Sequence, residues 1–237
     1  EFNEAISHVD VLFDLAFLLM DLLHRGDEGG ASRVFNRYLF RTRDYRDLNI
    51  LPLFIALRAG IRAHVSAMAA GAAASEQVAV RRRRDCQGYA RRVLSSLQRK
   101  PPVLVAVSGL SGTGKSSVAG DIAPLLGTAP GAVLLSSDMI RKRRLGVDPL
   151  TRLGPSAYTV GIDDAVYDEM AEIASTVLSS GHAVVLDATF RQQRHREAVE
   201  AVAGRIGVAF AGIRLDADRH ILEERVRRRR GDVSDAT

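Results

Sequence analysis

A glycine-rich segment at residues 109–117, GLSGTGKSS, has the residue types and spacing of a loop that binds phosphate. Its residues fit the pattern G-x-x-x-x-G-K-[ST], and the segment follows an apolar run and precedes a helical stretch. In this context the backbone N–H groups converge on phosphate oxygens, and the start of the helix adds partial positive charge. The residues predicted to bind a nucleoside triphosphate are Gly109, Leu110, Ser111, Gly112, Thr113, Gly114, Lys115, Ser116 and Ser117.

Three side chains near this loop have the chemistry for phosphoryl transfer. Lys115 is expected to reach the β- and γ-phosphates as a catalytic group, and the Ser116 hydroxyl can ligate Mg²⁺. Asp187 ends the apolar run AVVLDAT, where its carboxylate would face the loop and hold the magnesium shell. The next residue is Ala188, so no carboxylate follows Asp187 to activate water. No N-K-x-D segment supports GTP, and we therefore expect ATP and Mg²⁺ as cofactors and an acceptor other than water.

The segment SSDMIR at residues 136–141 supplies groups suited to an acceptor hydroxyl. Asp138 and Arg141 are three apart and share one face of a helix. Asp138 could take the hydroxyl proton, while Arg141 could bind an anionic or polar part of the substrate. The competing interpretation is a helix-capping Asp with a surface Arg. Their position just past a predicted parallel strand favours the functional interpretation.

The arginine run in LEERVRRRRGD, residues 222–232, indicates a closing element over the nucleotide. Arg225 and Arg229 are four apart and face the same way on a helix, so these two are predicted to stabilise charge on the moving phosphoryl group. The other arginines of this run, and those at 81–84, are interpreted as solvated.

Six further polar residues have two interpretations each. Four of them lie between the second and third predicted strands, where they could cover the acceptor pocket or belong to an amphipathic helix. The two histidines have no partners at ligand spacing and are interpreted as surface residues. These residues are Tyr158, Asp163, Asp164, Tyr167, His182 and His195.

The chain divides at the KPP sequence, which breaks the preceding helix. Residues 1–98 contain four stretches of helical periodicity, with DEGG interpreted as the end of the first and the second beginning near Ala31. Residues 99–102 are the predicted linker. In 103–237, four short apolar runs alternate with helical stretches and predict an α/β domain with a parallel sheet buried on both faces. These runs are VLVAVSG, GAVLLSSD, HAVVLDAT and VAFAGIRLDA.

Composition narrows the class of protein further. Of the 237 residues, 5% are aromatic and none is Trp, which weakens the case for a surface that stacks nucleic-acid bases. The single cysteine, Cys86, cannot form an internal disulfide and fits a cytoplasmic location. The apolar segment 11–23 is too short to span a bilayer, so a buried helix and no membrane partner are expected.

The motifs GLSGTGKSS, SSDMIRKRRLG, VVLDATF and RRRRGDVSDAT together resemble bacterial P-loop kinases of the gluconate-kinase, zeta-toxin and polynucleotide-kinase type. The resemblance covers residues 103–237 and implies a P-loop NTPase sheet. It also implies that Asp138 acts as base and that Arg141 touches the substrate. Kinases of this type usually add a fifth parallel strand, which implies that the domain is truncated at its C-terminal end.

The N-terminal segments EFNEAISHVDVLFDLAFLLMDL and LPLFIALRAGIRAHVSAM resemble the last helices of an aminoglycoside-phosphotransferase-like domain. Bacterial proteins that fuse such a domain to a P-loop module, usually labelled AAA family ATPases, are similar to the whole chain. The resemblance implies an upstream phosphotransferase-like domain in the same protein. The family's H-G-D-x-H-x-x-N loop does not occur in residues 1–237, so this helical part is not expected to catalyse.

The sequence therefore predicts an ATP-dependent kinase that phosphorylates a hydroxyl of a small molecule. Two alternatives remain open at this point. One is an ATP-binding regulatory module without a free acceptor. The other is a nucleic-acid end kinase, favoured by a pI of about 9.8 and weakened by the scarcity of aromatic residues.

Overall fold

The computed structural model of the chain describes residues 10–228, apart from the side chains of Arg219, Val226 and Arg228. Two compact units make up the chain. The first comprises the residues up to Lys100 together with Thr128–Gly131, and the second comprises Pro101–Gly127 and the residues from Ala132 onward.

The first unit is helical over its described residues. Its apolar residues recur at helical spacing and pack into a core that includes Leu19, Phe35 and Ile55, each fully buried. A short 3₁₀ turn, Leu48–Ile50, precedes the third helix. The helices are α1 (Val11–His24), α2 (Glu28–Thr42), α3 (Leu51–Gly71) and α4 (Glu76–Leu97).

Helix α2 begins earlier than the sequence predicted, because Asp27 caps it. The Asp27 carboxylate accepts a hydrogen bond of 2.7 Å from the backbone N–H of Gly30. A Cβ at Gly30 would lie 2.1 Å from that carboxylate, so the glycine is needed inside the first turn. The interpretation of DEGG as a helix end was therefore wrong, since capping by Asp outweighs the low helix propensity of the two glycines.

Helix α3 carries apolar side chains on its outer face. Leu53, Leu57, Ile61 and Val65 follow each other at intervals of four and are about half exposed. Among the residues described, one segment, Leu48–Gly71, is long and apolar enough to cross a membrane by length and composition alone, and 33% of its apolar window is buried. Core helices pass the same test, so the expectation of no membrane partner stays a prediction.

The second unit is a parallel four-stranded sheet flanked by helices, which confirms the predicted α/β class. The strands lie in the order β2-β3-β1-β4. All four predicted strands form. They are β1 (Val103–Gly109), β2 (Val133–Ser136), β3 (Val184–Asp187) and β4 (Ala209–Leu215). The helices are α5 (Lys115–Ile122), α6 (Ser137–Arg144), α7 (Val160–Ser179), α8 (Gln193–Ile206) and α9 (Arg219–Arg228).

Parallel pairing brings the carboxyl ends of the strands to one edge of the sheet. Asp187 at the end of β3 lies beside Val107 of β1 and Ser136 of β2 in the registers of the two pairings. Strand β1 then runs on to Gly109 and into the glycine-rich loop. The sheet therefore positions the loop, Asp187 and the start of α6 next to one another, as expected at the ligand-binding edge of an open α/β sheet.

The prediction that all strands are buried on both faces holds for β1 and β3 but not for β4. Every residue of β3 is buried, whereas Ala209, Ala211, Gly212 and Arg214 of β4 are exposed. Within the part of the chain that the structure describes, β4 pairs only with β1. The flanking helices therefore cover β4 less completely than they cover the central strands β1 and β3.

Candidate functional site

The glycine-rich loop is held in a conformation that only glycine fits easily. Gly112 has a φ of 93°, and a Cβ there would lie 3.0 Å from the Leu222 carbonyl oxygen. Gly109 has a φ of 150°, and a Cβ there would lie 2.8 Å from the Leu215 carbonyl oxygen. Both positions combine positive φ with close backbone approach, so side chains are excluded there.

Lys115 and Asp187 form the buried, charged centre of the site. Each is 5% exposed. Burial raises the pKa of Asp187, and the nearby charge of Asp138 raises it further. Hydrogen bonds from Ser116 and Ser136 and the positive charge of Lys115 oppose this rise. The carboxyl group is therefore costly to ionise and depends on its cationic neighbour.

This centre fits a magnesium ion. The Oδ1 atom of Asp187 is buried and has no hydrogen-bond partner among the described residues. Ser116 supplies a hydroxyl that bonds the same carboxylate. Carboxylate and hydroxyl oxygens are hard ligands of the kind that Mg²⁺ takes, usually together with phosphate oxygens and water. Asp187 and Ser116 are thus the residues that would hold the metal.

A cleft with a volume of about 480 Å³ opens beside Lys115. Its size lies within the range of small-molecule sites. It brings together Ser111 and Lys115 from the loop side with Asp138 and Arg141 from α6. The remaining lining residues are Ser137, Arg152, Leu153, Pro155, Tyr158, Asp163, Tyr167, Thr189 and Arg191.

Arg141 is fixed by three neighbours, although it is only 4% exposed. Its Nη1 lies 2.8 Å from Asp163 Oδ1 in an ion pair and donates a hydrogen bond of 3.0 Å to the Ala157 carbonyl. The guanidinium also lies over the ring of Tyr158, 4.6 Å from its centroid. Arg141 Nε remains buried without a hydrogen-bond partner in the described part of the chain.

Glu169 of α7 anchors the helix that carries Asp138. Its two carboxylate oxygens pair with Arg143 at 2.5 Å and with Arg144 at 2.6 Å. Burial alone would raise the pKa of Glu169, but the hydrogen bonds from the two arginines outweigh it and leave the pKa below its usual value. Arg143 and Arg144 therefore form ion pairs within the protein, and these pairs join α6 to α7.

A stack of two rings supports the chain after β3. His195 lies on Tyr167 with ring centroids 3.9 Å apart, and its Nε2 is 2.9 Å from Asp164 Oδ1. The Tyr167 hydroxyl accepts a hydrogen bond of 3.1 Å from the N–H of Phe190, whose φ is 46°. His195 is 6% exposed and His182 is 1% exposed, so the interpretation of both as surface residues was wrong. His195 is buried by its stack on Tyr167 and its pairing with Asp164.

Arg225 lies on the other side of the glycine-rich loop. Its Nη1 donates a hydrogen bond of 3.3 Å to the Gly112 carbonyl. It lines a second cleft of about 500 Å³ with Gly112, Thr113, Gly114 and Ser117. Arg229, the other arginine predicted to act on the phosphoryl group, lies outside the described residues.

Two further basic residues of the first cleft were missed in the sequence. Arg152 lies in the loop after α6, and Arg191 lies three residues after Ala188. Neither belongs to a motif with recognisable spacing. The position of Arg191 shortly after a buried parallel strand was the signal that could have identified it.

Comparisons with known proteins agree with this geometry. A family model described as an AAA domain matches residues 104–237. Relatives include an uncharacterized protein of Mycobacterium bovis and two of Mycobacterium tuberculosis, each 30% identical over 241 aligned residues. The matches cover 100% of this chain and 47% of each relative, so the chain spans about half the length of these relatives.

The matched residues include the whole glycine-rich loop, Asp138 and Asp187, and they extend over more than half of the chain. The parallel sheet, the loop between β1 and α5 and the buried Asp187 are the features of a P-loop nucleotide-binding domain. The chain therefore belongs to the AAA domain family, with a P-loop module of the kinase-like kind at residues 104–237.

Proposed function

We propose that the chain is an ATP-dependent kinase that transfers the γ-phosphoryl group to a hydroxyl of a small molecule. One observation carries the proposal: Lys115 of the phosphate loop and Asp138 line the same cleft. A phosphate group held by the loop and a hydroxyl placed at Asp138 would thus meet in a single space. The volume of about 480 Å³ suits an acceptor of metabolite size.

Each residue of the site has its own role in the transfer. Asp138 accepts the hydroxyl proton as the acceptor oxygen bonds to the γ-phosphorus, and the bond from that phosphorus to the β-γ bridging oxygen breaks. ADP leaves with that oxygen and its negative charge. Lys115 and the loop N–H groups stabilise the phosphate oxygens throughout. On the far side of the loop, Arg225 is positioned to add positive charge.

Magnesium, when bound at Asp187 and Ser116, supplies positive charge that neutralises the phosphate oxygens. The chain itself supplies polar oxygen atoms at this metal site and shields Asp187 from solvent. Asp187 is 5% exposed, and Ala188 after it is fully buried. With alanine there, no side chain after Asp187 can activate water, which favours an organic acceptor over hydrolysis.

The test uses the full chain, γ-labelled ATP, Mg²⁺ and a pooled set of hydroxylated metabolites. We expect label to pass into at least one acceptor, with Lys115→Ala as the blank. Labelled acceptor at the same rate with Lys115→Ala would contradict the proposal. Tight ATP binding without any labelled product would instead favour a regulatory nucleotide-binding module.

A further inference from the structure

The cleft of about 480 Å³ that is lined by Lys115 and Asp138, called the acceptor cleft from here on, has more basic than acidic side chains. Four of its lining residues are basic, and two are acidic, Asp138 and Asp163. Lys115 belongs to the phosphate loop, and the charge of Arg141 is paired with Asp163 at 2.8 Å. Arg152 and Arg191 are the other two basic residues of the cleft.

Arg152 and Arg191 differ from the other arginines near this site. Arg143 and Arg144 pair with Glu169, and Arg194 pairs with Asp164. The guanidinium groups of Arg152 and Arg191 have no ion pair or hydrogen bond within residues 10–228, and both side chains are exposed. Two unpaired guanidinium groups that line one cleft are a recognisable receptor for an oxyanion.

The backbone of Arg191 is held firmly in this position. Arg196 donates hydrogen bonds of 2.6 Å to the carbonyl of Phe190 and 3.1 Å to the carbonyl of Arg191. The Tyr167 hydroxyl accepts from the N–H of Phe190, which has the left-handed φ of 46°. Such a conformation is uncommon for a residue with a side chain. The start of the loop after β3 is therefore built to present Arg191 to the cleft.

A second observation points to a ligand at the same place. Arg141 Nε is a buried donor without a hydrogen-bond partner among the residues described. A buried donor left unsatisfied is unfavourable, so a group that accepts its hydrogen bond is expected nearby. Arg141 and Asp163 both line the cleft, and the Asp163 carboxylate, which pairs with Arg141 Nη1 at 2.8 Å, can accept more than one hydrogen bond. A polar molecule with neighbouring hydroxyl groups would accept from Arg141 and donate to Asp163.

Resting on the proposed kinase function, we propose that the phosphoryl acceptor is a small polyhydroxylated compound that also carries an oxyanion, either a phosphate or a carboxylate. Arg152 and Arg191 bind the oxyanion. Arg141 and Asp163 orient the hydroxyl groups. Asp138 takes the proton from the hydroxyl that is phosphorylated.

The first arm of the test measures anion binding without turnover. The full chain is saturated with Mg²⁺ and a non-hydrolysable ATP analogue, and inorganic phosphate or acetate is titrated at constant ionic strength. We expect saturable binding of at least one anion, weakened at least tenfold in Arg152→Gln/Arg191→Gln. The double Lys variant keeps the charges and should recover part of the affinity, and Arg205→Gln, at an exposed arginine outside the cleft, should bind as the wild type does.

The second arm compares matched acceptors in the transfer reaction. Hexoses are tested beside hexose phosphates and hexuronates, and a 5′-hydroxyl oligonucleotide is included. We expect kcat/KM at least tenfold higher for a phosphate- or carboxylate-bearing sugar than for its neutral parent, with the difference lost in the double Gln variant mainly through KM. Comparison of kcat/KM for the hexose phosphates and the hexuronates shows whether the site prefers a phosphate or a carboxylate.

The outcomes separate this inference from the kinase proposal. Anion binding that depends on Arg152 and Arg191, without transfer to any acceptor, would leave the anion site standing and overturn the kinase. Transfer to neutral and anionic sugars at equal rates would overturn the anion site and leave the kinase. Equal losses in the Gln and Lys double variants, or transfer to the oligonucleotide alone, would also overturn the inference.

Discussion

Asp138 lies close enough to Asp187 for its charge to add to the burial that already raises the pKa of Asp187. Asp187 ends β3, and Asp138 lies two residues after the end of β2, which pairs with β3 in parallel. Their surroundings differ. Asp187 is 5% exposed and bonds Ser116, whereas Asp138 is half-buried and lines the acceptor cleft. Burial beside the Ser116 hydroxyl suits Asp187 to binding a metal ion, and its place in the cleft suits Asp138 to accepting a proton from a ligand.

The first prediction concerns Asp138→Asn. The amide cannot accept the hydroxyl proton, so kcat for phosphoryl transfer should fall by about 100-fold or more, while MgATP affinity is retained. The measurement is transfer of label from ATP together with calorimetric binding of MgATP. Asp168→Asn changes an exposed carboxylate outside the cleft and is the matched control. Normal transfer by Asp138→Asn would show that the base is elsewhere.

The second prediction concerns Asp187→Asn. The raised pKa of Asp187 means that its ionisation in the folded chain is unfavourable, chiefly through desolvation, so the uncharged amide should raise the melting temperature of the nucleotide-free chain at neutral pH. The same change removes the carboxylate proposed to hold Mg²⁺, so the enhancement of ATP affinity by Mg²⁺ should fall at least tenfold. Thermal unfolding and calorimetry measure the two effects. A lower melting temperature with unchanged magnesium dependence would refute the assignment.

The third prediction is the pH dependence of the same group. The folded-state pKa of Asp187 is raised, so between the usual aspartate value of about 3.9 and the raised pKa the folded state binds more protons than the unfolded state. The contribution of Asp187 to the stability of the nucleotide-free chain should therefore decrease as pH rises through this window. The difference in unfolding free energy between wild type and Asp187→Asn, followed against pH, measures it. A stability advantage of Asp187→Asn over wild type that becomes smaller as pH rises would contradict the prediction.

The fourth prediction concerns Glu169→Gln. Loss of the ion pairs to Arg143 and Arg144 should destabilise the chain by about 1–2 kcal/mol and lower kcat, because α6 carries Asp138. The folded-state pKa of Glu169 is lowered, so this stabilisation is complete above the usual glutamate value of about 4.3 and is lost as pH falls through the lowered pKa. Unfolding in urea at several pH values tests it, with Glu172→Gln as an exposed control. Equal stability of Glu169→Gln and wild type at neutral pH would contradict the proposal that Glu169 anchors α6.

The strands and the phosphate loop could be predicted because their signals are local. An apolar run such as residues 103–109 is typical of a buried strand, and glycines at fixed intervals before Lys115 are typical of a phosphate-binding loop. The position of Asp187 followed from the rule that the ends of parallel strands meet. For these features, sequence pattern and tertiary structure give the same answer.

Side-chain pairing across the fold could not be predicted in the same way. His195 meets Asp164 across 31 residues of chain, and Arg143 meets Glu169 across 26. Such contacts depend on how α7 packs against α6 and α8, which no periodicity encodes. Arg152 was missed for the same reason, since it reaches the cleft only through the path of an irregular loop.

The proposed function depends on binding of the phosphates of ATP by the loop between β1 and α5. Isothermal calorimetry of MgATP with the full chain tests it, with Lys115→Ala as the variant and Lys100→Ala as the control at another lysine. We expect saturable binding by wild type and Lys100→Ala, and affinity at least 100-fold lower in Lys115→Ala. No binding by the wild type, or equal affinity in Lys115→Ala, would contradict it.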